Sequence, residues 1–171
     1  MAFELLGWPD EEVTLDLDHR DFPYAGKFVM SSTGKAISRS DGDVVAAASF
    51  SADRTDSSQL WIRYLAVHRE YQGEGLGEQL CRGVHAAARE RGYETVVIAV
   101  NNPHAYVSAY RAGFAFTGRE TGIAELILST AAERTQATYQ DGLERFLGRN
   151  GIDSRFIQDK LDEATPADQS P

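Results

Sequence analysis

The stretch "VHREYQGEGLGEQL", Val67 to Leu80, places Gly73, Gly75 and Gly77 within six residues and then runs into a helical pattern. A strand that feeds a glycine-rich turn at the start of a helix suits phosphate. Backbone N–H groups converge in such a turn, the first helical N–H groups lack internal acceptors, and the helix dipole favours negative charge there. Two familiar versions do not fit. The nucleotide P-loop ends in Gly-Lys-Ser/Thr, whereas Gly77 is followed by Glu78 and Gln79. The dinucleotide fingerprint G-x-G-x-x-G would begin at Gly75 and meets Leu80 where its third glycine belongs. The turn also follows the fourth predicted strand instead of opening a βαβ unit near the start.

Other residue types that could do chemistry are sparse. His19, His68, His85 and His104 are scattered and make no metal site. Cys81 is the only cysteine, which excludes an internal disulfide and a cysteine-cluster metal site, and its place in an amphipathic helix makes it a small buried apolar residue. Tyr110, in "YRAGF" (110 to 114), and Asn102, ahead of Pro103, stand on a short predicted helix downstream of the turn.

The elements that must position these residues follow from periodicity. "EEVTLDL" (11 to 17) alternates and predicts a first strand, and "DHRDFPYAGK" (18 to 27) a loop. Strands are expected near 28 to 39, interrupted at Gly34, and at 44 to 52, with Asp41-Gly42 as the hairpin turn because both positions must accept positive φ. "LWIRYLAV" (60 to 67) is an aromatic and β-branched strand. After the glycine turn a helix runs to Gly92, followed by a buried strand at 94 to 100. Asn102 as N-cap and Pro103 at the first position open the short helix, which Gly113 ends. "AFTGRE" and "IAELILS", joined by Thr121-Gly122, predict a closing hairpin. A capping box at Thr130 and Glu133 then opens a helix with Tyr139, Leu143, Phe146 and Leu147 on one face. A last helix, "DSRFIQDKL", precedes a polar tail over 162–171 that is expected to be disordered.

Composition narrows the class. With 171 residues, 42% of them hydrophobic, the chain suits one sizeable core. The net charge of −9, with Lys27, Lys35 and Lys160 as the only lysines, argues against nucleic-acid and anionic-membrane partners, which need a basic face. Many acids and few lysines would suit a salt-rich cytosol as well as an ordinary acidic protein. The first twenty residues lack a cationic start and a long apolar run, and no segment has the apolar length of a membrane span, so the expected location is the cytoplasm.

"QGEGLG" resembles the Q/R-x-x-G-x-G/A turn of GNAT-type N-acetyltransferases, with Gln72, Gly75 and Gly77 at the three defined positions, and "YRAGF" resembles the Y-x-x-G-F that ends a later helix of that family. The two motifs come in the family's order, with "ETVVIAVNN" between them. The resemblance spans roughly residues 11 to 129. It implies an α+β fold with a mixed, mostly antiparallel sheet splayed between the strands at 60–67 and 94–100, and helices on both faces. It further implies a GNAT domain over 1–129, a C-terminal helical extension over 130–161, and acetyl-CoA as cosubstrate.

By the same resemblance, main-chain groups of Leu65, Ala66 and Val67 hold the pantetheine arm and polarise the thioester carbonyl, while the N–H groups of Gln72, Gly73, Glu74, Gly75, Leu76 and Gly77 take the diphosphate. Asn102 is similar to the family asparagine that contacts the pantetheine. Tyr110 matches the tyrosine that donates a proton to the CoA sulfur, a role a phenol can fill while neutral at rest. Glu74 and Glu78 must then point outwards or lie near cations. An alkylamine acceptor also needs a base, and the strand at 60–67 carries Trp61, Arg63 and Tyr64 in place of a carboxylate. Glu125, His104, His19 and Asp21 are the candidate bases elsewhere, and His68 borders the turn near a phosphate position.

The loop at 18–27 leaves little room for the two helices the family usually places there. An open acceptor groove follows, or one completed by the C-terminal helices or by a second subunit. The stripe at Tyr139 packs on its own domain, or makes a homodimer contact or a substrate lid. Two function classes remain. One is transfer of acetyl to a primary amine on a small molecule, protein N-terminus or lysine; the other is a CoA-binding module with little transfer.

Overall fold

The computed structural model describes residues 2–149, 151–152 and 154–163, so most of the tail expected over 162–171 lies outside the described residues. Among them are seven strands and four α-helices, an α+β content as expected. The chain divides into two units, Met1–Val96 and Val97–Pro171.

The first unit is built on four antiparallel strands, β1 (Ala2–Gly7), β2 (Gly34–Ser40), β3 (Asp43–Ala52) and β4 (Gln59–Val67), each paired with the next. Asp41 (φ 50) and Gly42 (φ 85) make the β2–β3 turn in the left-handed conformation that the dipeptide predicts. Alternation sends Ile37, Ala47 and Ala66 to one face, where Leu17, Phe22, Ala25 and Phe28 complete a buried cluster. Helix α1 (Leu76–Arg91) packs against β1 to β4, burying Leu76, Leu80, Cys81, Val84 and Ala88, and Ser38 Oγ donates to Gln79 Oε1 at 2.8 Å.

Two strand expectations are corrected here. Residues 13–18 are in no ladder: Glu11 ends a 3-10 turn, Glu12 has φ 55, and a backbone bond from Leu15 to Phe28 O (2.9 Å) is what ties this stretch laterally. Its alternation reflects burial of Leu15 and Leu17 on the cluster, and the edge position belongs to "AFELLG" instead. The strand expected from 28 starts at Gly34, because 25–33 curls into turns around a buried cation. Lys35 is fully buried, and its ammonium donates to Val13 O (2.8 Å), Met30 O (2.7 Å), Thr33 O (2.7 Å) and Thr33 Oγ1 (2.9 Å). Burial holds its pKa below the usual lysine value. Lys35→Met removes the donor for three carbonyls while relieving the desolvated charge. A net loss of about 1–2 kcal/mol is expected, read as a lower urea midpoint at unchanged slope; a midpoint equal to wild type would deny the lysine its pinning role.

The strand β5 (Thr95–Val100) leads into the second unit, where it pairs antiparallel with β7 (Leu126–Ser129) from Val97↔Ser129 to Val100↔Leu126, and β7 pairs antiparallel with β6 (Ala115–Glu120). Helix α2 (Pro103–Arg111) opens as expected: Asn102 Oδ1 accepts from Ala105 N at 2.9 Å, with Pro103 at the first position. The closing hairpin has a longer tip than Thr121-Gly122 implies. Thr121 N donates to Glu125 O, Ala124 has φ 65, and Glu125 precedes β7 instead of lying on it.

Helix α3 (Gln136–Glu144) is capped by Thr135, whose hydroxyl accepts from Thr138 N at 3.1 Å, so the expected box at Thr130 and Glu133 is displaced by five residues. A second Thr-x-x pattern competes, and Thr138 Oγ1 accepts from Thr135 N in return (3.3 Å). Tyr139, Leu143 and Phe146 are buried within this unit, which is the intramolecular packing among the three alternatives, while Leu147 is 40% exposed. Helix α4 (Ser154–Leu161) buries Ile157. Among the described residues no helix is long and apolar enough to cross a membrane, and no group of three or more His, Cys, Asp or Glu is placed to hold a metal.

Candidate active site

Strand β4 leads directly into the glycine turn, and its path is not regular. Ser49 pairs with Tyr64 and Phe50 with Ile62, so Arg63 is an extra residue, a β-bulge. A bulge bends its strand, sharpens the twist and takes one residue's N–H and C=O off the ladder. It falls two residues before Leu65, Ala66 and Val67, which resume pairing with Ala48, Ala47 and Ala46. In an antiparallel pair alternate main-chain groups point away from the partner strand, so 65–67 keep groups directed off β3. Arg63 itself reaches sideways: Nε donates to Ser51 Oγ (2.8 Å) and Nη2 to Ala52 O (3.2 Å).

After β4, His68 starts a 3-10 turn. Its Nδ1 accepts from Glu70 N at 3.1 Å, which leaves Nε2 as the proton-bearing nitrogen, 3.7 Å from the Asp21 carboxylate. Its ring lies edge-on to Phe22 and Tyr71. Of the histidines and carboxylates weighed from sequence, Asp21 and His68 are brought together, while His19 is exposed and His104 packs its ring on Phe156 at 4.0 Å.

Gly73 (φ 84) and Gly75 (φ 79) then take the left-handed conformation, and Gly75 caps α1. A Cβ at either would meet no atom within 4 Å. Backbone conformation therefore demands these glycines, and the turn faces open space. Gln79 N makes the first intrahelical bond, to Gly75 O at 3.0 Å, so the N–H groups of Leu76, Gly77 and Glu78 precede the helical ladder and have no acceptor within it. The Leu76 side chain is buried and anchors the turn. Glu78, a concern beside an anion, is paired with Arg82 at 2.9 Å, and Glu74 is exposed. Gln72, Gly73 and Gly75 are exposed as well. An exposed glycine turn with helical N–H groups ahead of the ladder is the arrangement that suits a phosphate.

Cys81, on the buried face of α1, is fully buried, and burial pushes its thiol up to about 12, so it is no nucleophile at neutral pH.

The second unit holds Asn102 and Tyr110. The Asn102 amide oxygen is the helix cap, and its Nδ2 donates to Asn101 Oδ1 at 3.1 Å. Tyr110 is 2% exposed, its ring 4.5 Å from that of Tyr139. The Arg134 guanidinium lies 3.9 Å from the Tyr110 ring centre. Neither Arg134 nor the bulge at Arg63 was expected. Both depend on pairings that no local pattern announces.

Residues 2–114 match the profile of the Acetyltransferase (GNAT) family. The chain belongs to that family. Its members are acyltransferases with acetyl-CoA as cosubstrate. Solved structures agree on the GNAT fold. The IAA acetyltransferase from Bacillus cereus ATCC 14579 superposes with a TM-score of 0.56 at 18% identity, over 75% of this chain and 97% of that one. The Salmonella typhimurium protein yncA, solved with its cofactor acetyl-CoA, gives 0.51 at 19% identity, over 60% and 68%. An N-acetyltransferase from Staphylococcus aureus Mu50 gives 0.51 at 17% identity, over 57% of this chain and 66% of its own length. A search of curated proteins finds no match.

Proposed function

We propose that this GNAT protein transfers acetyl from acetyl-CoA to a primary amine, on a small molecule or on a protein N-terminus or lysine, by direct attack. The neutral nitrogen adds to the thioester carbonyl, the C–S bond breaks, and Tyr110 gives its proton to the departing thiolate, while a base or water chain takes the ammonium proton. Leu65, Ala66 and Val67 hold the pantetheine arm with main-chain groups, Gln72 to Gly77 hold the diphosphate with N–H groups, and Asn102 contacts the arm through its remaining amide hydrogen. We assign 1–129 to the transferase domain and 130–161 to a helical extension.

The observation that carries this reading is the turn itself: two glycines at positive φ, an open approach, and free helical N–H groups directly behind a bulged strand. Calorimetry of acetyl-CoA binding, in low-salt buffer and in molar KCl, tests it with Gly75→Val. A Cβ at 75 meets no atom within 4 Å, but a β-branched residue at φ 79 strains the backbone by about 1–3 kcal/mol, enough to swing the N–H groups off the diphosphate. Binding weakened by about tenfold or more, with circular dichroism unchanged, is the expected result. A well-folded wild type that binds no acetyl-CoA in either salt would sink the assignment.

The second reading, a CoA-binding module with little transfer, draws on one observation. Arg63 occupies the bulge and β4 carries no carboxylate to act as base. Turnover measured on an amine panel separates the two.

A further inference from the structure

We infer that Arg134, in the C-terminal extension and outside the family-matched residues 2–114, is the positioning residue for Tyr110, an inference that rests on the proposed acid role of that tyrosine. Three contacts converge. The guanidinium carbon lies 3.9 Å from the Tyr110 ring centre, over the π face. Its Nη1 donates to Tyr110 O at 2.9 Å and to Phe114 O at 3.1 Å. The Tyr110 carbonyl lies in the last turn of α2, at the negative end of the helix dipole, where it also accepts from Gly113 N at 3.0 Å, and Phe114 follows the Gly113 turn. One side chain thus fixes both the main chain and the ring of Tyr110.

Tyr139 adds the third constraint. Its ring is tilted 47° to that of Tyr110 at 4.5 Å, and α3, which carries it, begins two residues after Arg134. The extension therefore seats the phenol as one piece. During transfer the O–H bond of Tyr110 breaks, the proton goes to sulfur, and a phenolate is left until solvent reprotonates it. A cation against the ring attracts that phenolate more than it attracts the phenol, so it acts on the chemical step. Lysine keeps the charge but loses the planar guanidinium with its fixed pair of donor contacts.

The test reads CoA thiol release from acetyl-CoA, with hydroxylamine as probe acceptor because it is neutral at pH 7 and needs no base. Arg134→Gln is expected to lower kcat by about 10–100-fold with KM for acetyl-CoA changed less than about twofold, and Arg134→Lys to recover part of the loss. In a Tyr110→Phe background, Arg134→Gln should cost nothing further, the non-additivity of two groups serving one step. Full additivity, or a loss in KM alone, would overturn the positioning role. If Arg134→Gln does not fold, Arg134→Lys carries the test, and an unchanged kcat there overturns it. The underlying reading fails separately: Tyr110→Phe with wild-type kcat removes the acid, whatever Arg134 does.

Discussion

Tyr110→Phe is expected to lower the rate of CoA release by about 10²–10⁴-fold, the range for removing a positioned general acid, while acetyl-CoA binding by calorimetry stays within about threefold of wild type. The substitution deletes one oxygen and keeps the ring, so the contacts with Tyr139 (4.5 Å) and Arg134 (3.9 Å) survive and the fold is not at issue. The size of the effect follows from the leaving group. A thiolate expelled into a site with no donor must leave as an anion, whereas a phenol O–H beside it can hand over its proton as the C–S bond lengthens. Binding should hold because the diphosphate contacts are assigned to a separate stretch, 72–77. Turnover equal to wild type would transfer the proton to water and leave Tyr110 as packing. Lost turnover together with lost binding would make it a cosubstrate contact instead.

The glycine turn was legible because its constraint is local. A φ near 80 strongly favours glycine whatever surrounds it, and Gly73 and Gly75 stand there. The same holds for Asp41-Gly42 and for the cap at Asn102 with Pro103 behind it. Where an expectation failed, tertiary pairing had the last word. Val13, Leu15 and Leu17 alternate as a strand does, yet only burial was written in that pattern, and the ladder position went to Phe3 and Leu5 across from Ser38 and Ala36. The β4 bulge is a statement about register between two strands, and "LWIRYLAV" is equally compatible with a regular ladder.

Lys35 is an intermediate case. It shares the Ile37 face two residues on, which marks it as inward-pointing once β2 is placed, but its acceptors come from Val13, Met30 and Thr33 in a loop that has no period. Arg134 had no signal at all. It meets Tyr110 across 24 residues, from a segment that the expected capping box at Thr130 and Glu133 puts in the first turn of a helix. The motif residues of the site were thus visible and their supports were not. Motifs restrict backbone conformation at a position, whereas supports depend on what the rest of the chain brings alongside.

Gly142→Val is expected to cost about 3 kcal/mol or more, from overpacking together with a strained buried hydrogen bond. Glycine inside a helix ordinarily wastes stability, and alanine there would gain roughly 1 kcal/mol by propensity. At 142 the gain is forbidden, because a Cβ would fall on the Tyr106 ring and hydroxyl. That ring cannot yield. Tyr106 is fully buried, its hydroxyl donates to Tyr139 O at 2.9 Å, and its ring lies among those of Tyr139 (5.8 Å) and Phe146 (6.0 Å). Burial also raises the phenol pKa far above its ordinary value, so the hydroxyl stays a donor across the working range. The substitution must therefore push α3 outward, and Tyr139 with it. Since Tyr139 also lies against Tyr110, turnover should fall along with stability. Gly142→Ala, measured by urea denaturation alone and again with Tyr106→Phe, apportions the cause: the penalty should shrink by about 1 kcal/mol when the hydroxyl is gone. An equal penalty in both backgrounds would mean the strain lies elsewhere in α3. Gly142→Val at wild-type stability would mean that the helix is not seated on Tyr106.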